Sequence, residues 1–160
     1  MRLLLQRVER AHVEVDARTV GEIGQGLLVL AGFGQSDGPD LPGGKIWRTL
    51  CDKVLDLRIF PDAEGKLNLS LRDTAATGLG GGLLLVSQFT LYADARRGRR
   101  PSFSNAAPPE LARSLYDRLA ADLSARCPGP FATGVFGAEM RLDFVNWGPV
   151  TILLDSADYD

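Results

Sequence analysis

Residues 140–154 read MRLDFVNWGPVTILL. Met140, Leu142 and Phe144 alternate with Arg141 and Asp143, the period of a strand with one buried face. Residues 150–154, VTILL, form a second strand-like run. Between them stands Gly148-Pro149. Proline has no backbone N–H to give a ladder and is confined to edges and turns. On its own, the stretch predicts a hairpin joined at the Gly-Pro step.

Working outward, Leu3, Leu4, Leu5 and Val8, then the alternation over 12–16, predict an opening pair of strands. Thr19, Val20 and Ile23 extend the second of them. Gly24, Gln25 and Gly26 turn the chain into residues 27–31, a continuously apolar strand covered on both faces. Residues 83–86 predict a further strand that feeds into SQFTL at 87–91, and LRIFPDAEGKLNLSL at 57–71 reads as strand, turn, strand. GQSDGPDLPGG (34–44) is a loop and GLGGG (78–82) a hinge or tip.

Two helices stand out. Ile46, Leu50, Val54 and Leu57 recur at spacings of three and four, and Leu111, Leu115, Leu119 and Leu123 follow Pro108-Pro109-Glu110 as one stripe. Strands bracketing two helices without a βαβ rhythm predict an α+β fold. The expectation is a layered β/β/α single domain over residues 1–160, with antiparallel and mixed sheets and both main helices on one side.

Composition narrows the function. A net charge of −2 excludes nucleic-acid binding over the whole surface, so any such contact is a local patch. His12 is the only histidine, which excludes a multi-imidazole zinc site and a His–His acid/base pair. Cys51 and Cys127 are isolated, so no metal and no cofactor are expected. The three-residue apolar run in MRLLLQRVER is too short for a signal peptide, and no stretch approaches a membrane span. A cytoplasmic protein without membrane partners is expected.

The usual catalytic devices are missing. None of Ser87, Gln88, Phe89, Thr90 and Leu91 is ionised at neutral pH. Ser87 lacks a GxSxG context, and GLGGG lacks the lysine of a phosphate loop. ARRGRR at 95–100 puts Arg96, Arg97, Arg99 and Arg100 within five positions, either a solvated loop or a phosphate-contact patch. Taken alone, these features suit a binding module as well as an enzyme.

Together the segments resemble a known family. SQFTL (87–91), the GPVT of NWGPVT (148–151) and RPSFSNAA (100–107) are similar to the signature segments of the D-aminoacyl-tRNA deacylases, and the likeness extends over essentially the whole chain. The 34–44 loop and the GLGGG tip are longer than is usual there, and the tail after Leu154 is variable; none lies inside a motif.

The resemblance implies hydrolysis of the ester of D-aminoacyl-tRNA, and of tRNA(Ala) mischarged with glycine, by a homodimer with active sites at the interface. It implies a cis Gly148-Pro149 bond reaching into the opposite subunit to reject L-aminoacyl groups. Catalysis falls to Ser87, Gln88, Phe89 and Thr90, with main-chain N–H groups near Phe89 and Thr90 facing the oxyanion and the 2′-hydroxyl of the terminal adenosine helping to activate water. Thr90 as a direct nucleophile lacks an evident base. Arg96, Arg97, Arg99 and Arg100 become contacts to the 3′ acceptor end of aminoacyl-tRNA, and Phe89 or Phe136 a stacking surface for adenine; no DNA partner is expected. The alternatives are a relaxed editing enzyme for mischarged L-alanyl-tRNA with a trans Gly-Pro bond, and a non-catalytic tRNA-binding module.

Overall fold

The computed structural model describes residues 1–78 and 80–159; Leu79, inside the GLGGG tip, and Asp160, at the end of the tail, lie outside the described residues. Strand β1 (Arg2–Val15) is the axis of the fold. Its first half pairs antiparallel with β3 (Gly26–Gly32) and its second half, on the same edge, with β2 (Arg18–Ile23). Its other edge takes both halves of β8 (Arg141–Asp155), also antiparallel. Beyond β3 the sheet continues in parallel through β6 (Gly82–Ser87) and β7 (Phe131–Thr133). A two-stranded ribbon, β4 (Phe60–Pro61) with β5 (Leu67–Leu69), stands apart.

Two expectations are corrected here. The opening "pair of strands" is one strand of 14 residues. Likewise, the halves of MRLDFVNWGPVTILL do not pair with each other: both lie in β8 and both pair with β1. Long β1 is a better partner for each half than a short local turn would have been.

The alternating side chains separate two cores. Leu27, Val29, Leu83 and Leu85 face a core shared with the helices, while Leu28, Leu84 and Val86 face a second core lined by the curled sheet alone. In β1, Leu3 and Leu5 serve the first core, but Val8, Ala11 and Val13 all serve the second. The shift in parity follows from an irregularity between Val8 and Arg10, where β1 carries one residue more than β8. The layered α+β expectation therefore holds, with helices against one face.

The helices are α1 (Lys45–Asp56), α2 (Leu71–Ala76) and α3 (Pro109–Ser124). Leu115, Leu119 and Leu123 are buried as their spacing predicts. Helix α2 was not anticipated. Its signal was Ser70 three residues before Asp73: the Ser70 hydroxyl accepts the Asp73 N–H while Asp73 Oδ2 accepts the Ser70 N–H at 2.9 Å. The Ser70 N–H, and the Ser70 hydroxyl donating to the same Oδ2 at 2.7 Å, hold the Asp73 carboxyl below its ordinary pKa. Among the described residues no helix is long and apolar enough to cross a membrane.

Candidate active site

Strand β6 stops at Ser87 because the chain turns there. The Gln88 N–H donates to Ala31 O at 2.7 Å, the last rung beside β3, and residues Phe89–Tyr92 then form a 3-10 turn. A helical turn leaves its first N–H groups without internal acceptors. Those of Phe89 and Thr90 have no partner among the described residues.

This turn borders a cavity of about 760 Å³. Ser87, Gln88 and Phe89 line it, and the opposite wall is built from Phe33, Ala107, Pro108, Ala112 and Phe136. The wall is kept in place by backbone bonds from Gln35 to Asn105 O and from Ala107 to Phe33 O, both 2.9 Å. Among the described residues, no side chain lining the cavity is ionisable. Its entrance carries an exposed aromatic pair, Phe89 and Phe103, edge to face with centroids 5.0 Å apart. Phe136 packs on Tyr116 and lies 4.8 Å from the Arg113 guanidinium. Thr90 is exposed, outside the lining, and its hydroxyl accepts a hydrogen bond from Gln88 Nε2.

Gly148 and Pro149 do not line this cavity; they are exposed on a bulge of β8. Between the pairs Gln6–Thr151 and Val8–Asn146, β8 inserts residues 147–150 opposite the single residue Arg7. The peptide bond Gly148-Pro149 is cis, as the resemblance implies. Asn146 closes the neck of the bulge, its Oδ1 accepting from Val150 N at 2.9 Å and its Nδ2 donating to Thr151 Oγ1 at 3.0 Å.

Arg7 holds the bulge from beneath, a role that inspection of the sequence missed. It is 5% exposed, and its Nε donates to Trp147 O at 2.9 Å and its Nη1 to Ile59 O at 2.5 Å. Its guanidinium also lies 4.4 Å from the Trp147 ring centroid. Burial lowers its pKa, but a guanidinium stays charged. Gly148 has φ +130°, a region that favours glycine, and a Cβ there would stand 2.7 Å from Arg7 Nη2. The only sequence cue to Arg7 was its parity: it shares a strand face with Leu3 and Leu5.

The arginine loop is unequal in its charges. Asp94 and Ser102 exchange backbone bonds of 2.8 and 2.9 Å that close the loop. The Asp94 carboxylate grips Arg96 through Nε at 2.8 Å and Nη2 at 2.6 Å, which holds Asp94 well below the usual carboxylate range. Arg97, Arg99 and Arg100 are exposed and have no ion-pair partner among the described residues.

Comparisons with known proteins agree over nearly the whole chain. The sequence pattern of the family described as D-Tyr-tRNA(Tyr) deacylase matches residues 4–155. A protein of Nitratidesulfovibrio vulgaris named D-aminoacyl-tRNA deacylase is 59% identical over 158 residues, 99% of this chain and 94% of its own. One of the same name from Solidesulfovibrio magneticus is 61% identical, over 99% and 97%. A solved structure titled c-Myc DNA Unwinding Element Binding Protein superposes with a TM-score of 0.83 at 35% identity, covering 97% of this chain and 98% of that one. Another, titled as a probable eukaryotic D-amino acid tRNA deacylase, gives 0.76 at 20% identity over 96% and 97%, and supports the fold.

Proposed function

The chain belongs to the D-Tyr-tRNA(Tyr) deacylase family, and from that membership we propose how it hydrolyses the ester of D-aminoacyl-tRNA while sparing the L form. One observation carries the chemistry. Among the described residues, the cavity has two unused main-chain donors beside it, at Phe89 and Thr90, and no ionisable lining residue. Attack by water on the ester carbon forms a C–O bond and moves the carbonyl electron pair onto oxygen. The Phe89 and Thr90 N–H groups take up that charge, each such donor worth about 2.7–4 kcal/mol of barrier. Collapse breaks the bond to the ribose oxygen, which takes a proton and leaves as free tRNA. The neighbouring 2′-hydroxyl of the terminal adenosine assists the water, so the substrate supplies what the lining lacks.

Selectivity rests on the exposed bulge. A homodimer is the assembly in which Gly148 and Pro149 of one protomer reach the cavity of its partner. There, backbone carbonyls anchor the substrate ammonium through charge-assisted bonds of about 1.5–3 kcal/mol each. With ammonium and ester fixed, the side chain of an L residue points into peptide backbone, whatever that side chain is. Glycine has none to reject, so tRNA(Ala) mischarged with glycine is also a substrate. Phe89, Phe103 or Phe136 offers a face for the terminal adenine, and Arg97, Arg99 and Arg100 meet acceptor-end phosphates. The whole of residues 1–160 acts as one domain, in the cytoplasm, with no cofactor.

The test is deacylation of matched D- and L-tyrosyl-tRNA and of glycyl-tRNA(Ala) by purified protein. Rapid loss of the D ester, slower loss of the glycyl ester and an intact L ester are expected. Equal rates on D and L would remove the chirality argument, hydrolysis of L-alanyl-tRNA would favour the relaxed editing enzyme, and salt-sensitive binding without turnover would favour the binding module.

A further inference from the structure

The turn carrying the Phe89 and Thr90 donors contains no buried residue, so its own packing does not fix its direction. Outside contacts do. The Leu91 carbonyl accepts from Arg2 Nη1 at 2.8 Å, and the same guanidinium lies 4.6 Å from the Tyr92 ring centroid. Arg2 Nε donates to Asp155 Oδ2 at 2.6 Å, and Asp155 is the last residue of β8, the strand that carries the Gly148-Pro149 bulge. The Tyr92 ring rests against Gly34, whose N–H donates to Asp37 Oδ2 at 2.7 Å. Asp37 in turn accepts from the Met1 ammonium through Oδ1 at 2.7 Å.

We propose that Arg2 is a positioning residue for deacylation: it ties the Phe89–Tyr92 turn to the end of β8 and so fixes the direction of the Phe89 and Thr90 N–H groups. The inference rests on the reading of those groups as oxyanion donors. Arginine suits the task because its planar fork addresses a carbonyl and a carboxylate at once while its face covers an aromatic ring. The ion pair with Asp155 is partly exposed and adds little stability by itself. Held donors, by contrast, lose their value quickly as a hydrogen bond lengthens or bends. Arg2 therefore acts on the transition state more than on substrate binding.

The experiment is steady-state deacylation of D-tyrosyl-tRNA by the wild type, Arg2→Ala, Arg2→Lys and Asp155→Asn, with melting temperatures for each. Arg2→Ala is expected to lower kcat about tenfold with KM within about twofold, the pattern of an interaction made mainly in the transition state. Arg2→Lys recovers part of that loss, since one ammonium cannot serve both acceptors. Asp155→Asn leaves the Leu91 contact in place but weakens the anchor at the end of β8, so it is expected to show a smaller kcat loss than Arg2→Ala, about two- to fivefold. An unaltered kcat in Arg2→Ala or in Asp155→Asn, or a change confined to KM, overturns the inference. Should Arg2→Ala fail to fold, Arg2→Lys is judged by the same split. An inactive wild type overturns the underlying reading as well, whereas an active wild type with an unaltered Arg2→Ala overturns this inference alone.

Discussion

Arg7 lies beneath Trp147, with its guanidinium 4.4 Å from the ring centroid and its Nε donating to the Trp147 carbonyl at 2.9 Å. A buried cation on β1 thus fixes the shape of a bulge 140 residues away in sequence. Replacing it with methionine keeps much of the volume but strands the carbonyls of Trp147 and Ile59. Because bonds from a charged donor are each worth about 1.5–3 kcal/mol, Arg7→Met should cost about 2–4 kcal/mol of stability, measured by urea unfolding. The D/L rate ratio on tyrosyl-tRNA should fall with it.

Gly32 abuts the Phe89–Tyr92 turn, the proposed oxyanion site, from the other side. A Cβ there would stand 2.7 Å from Gln88 O and 3.2 Å from Leu91 Cβ. Gly32→Ala must therefore push on main chain, which cannot swing aside as a long side chain would. Loss of one aligned donor costs on the order of 100-fold in kcat, and this variant should approach that loss while its far-UV circular dichroism stays native.

Thr90→Ala separates the two chemical roles available at position 90. The hydroxyl is bonded only to the Gln88 amide, with no base in reach among the described residues. Activity within about tenfold of wild type is expected if the N–H does the work. Complete loss with an unchanged fold would restore the hydroxyl as nucleophile.

The arginine loop offers an internal control. Arg96 is already paired to Asp94, whereas Arg97, Arg99 and Arg100 are exposed without an ion-pair partner. Replacing Arg97, Arg99 or Arg100 by alanine should raise KM for aminoacyl-tRNA and flatten its salt dependence, by a slope change of roughly 0.7–0.9 for each phosphate no longer neutralised. Arg96→Ala should change KM less, provided Asp94 is replaced with it so that no bare carboxylate is left in the loop.

Cys51 is a packing residue. It is fully buried, and that burial pushes its thiol pKa up to about 12. A raised thiol pKa favours the neutral form, so at pH 8 roughly 10⁻⁴ of it is thiolate. Labelling of the native protein by a disulfide reagent at pH 8 should be unaffected by Cys51→Ser and abolished by Cys127→Ser.

How much of this was legible in the sequence depends on the range of the forces involved. The stripe of Leu115, Leu119 and Leu123 and the doubly apolar strands at 27–31 and 83–86 were readable because period and burial are local matters. The two segments on which the proposed site rests, SQFTL and NWGPVT, could be singled out because they carry their family likeness in contiguous letters. The continuity of β8 was not: a Gly-Pro step reads as a turn until β1 is known to pair on both sides of it. Arg7 was hidden for the same reason, because a charge in a strand reads as solvent-facing unless long-range register brings two carbonyls to it. The Arg96–Asp94 pair was not legible because a run of arginines reads as uniformly solvated until the folded loop sets one of them against the acid two residues before it.

On the proposed reading, a cavity with no titrating side chain among its described lining residues leaves the protein no proton inventory of its own at the scissile bond. Acidity and basicity must then arrive with the aminoacyl nucleotide and depart with it, so a plot of rate against pH would trace the ionisation of the guest.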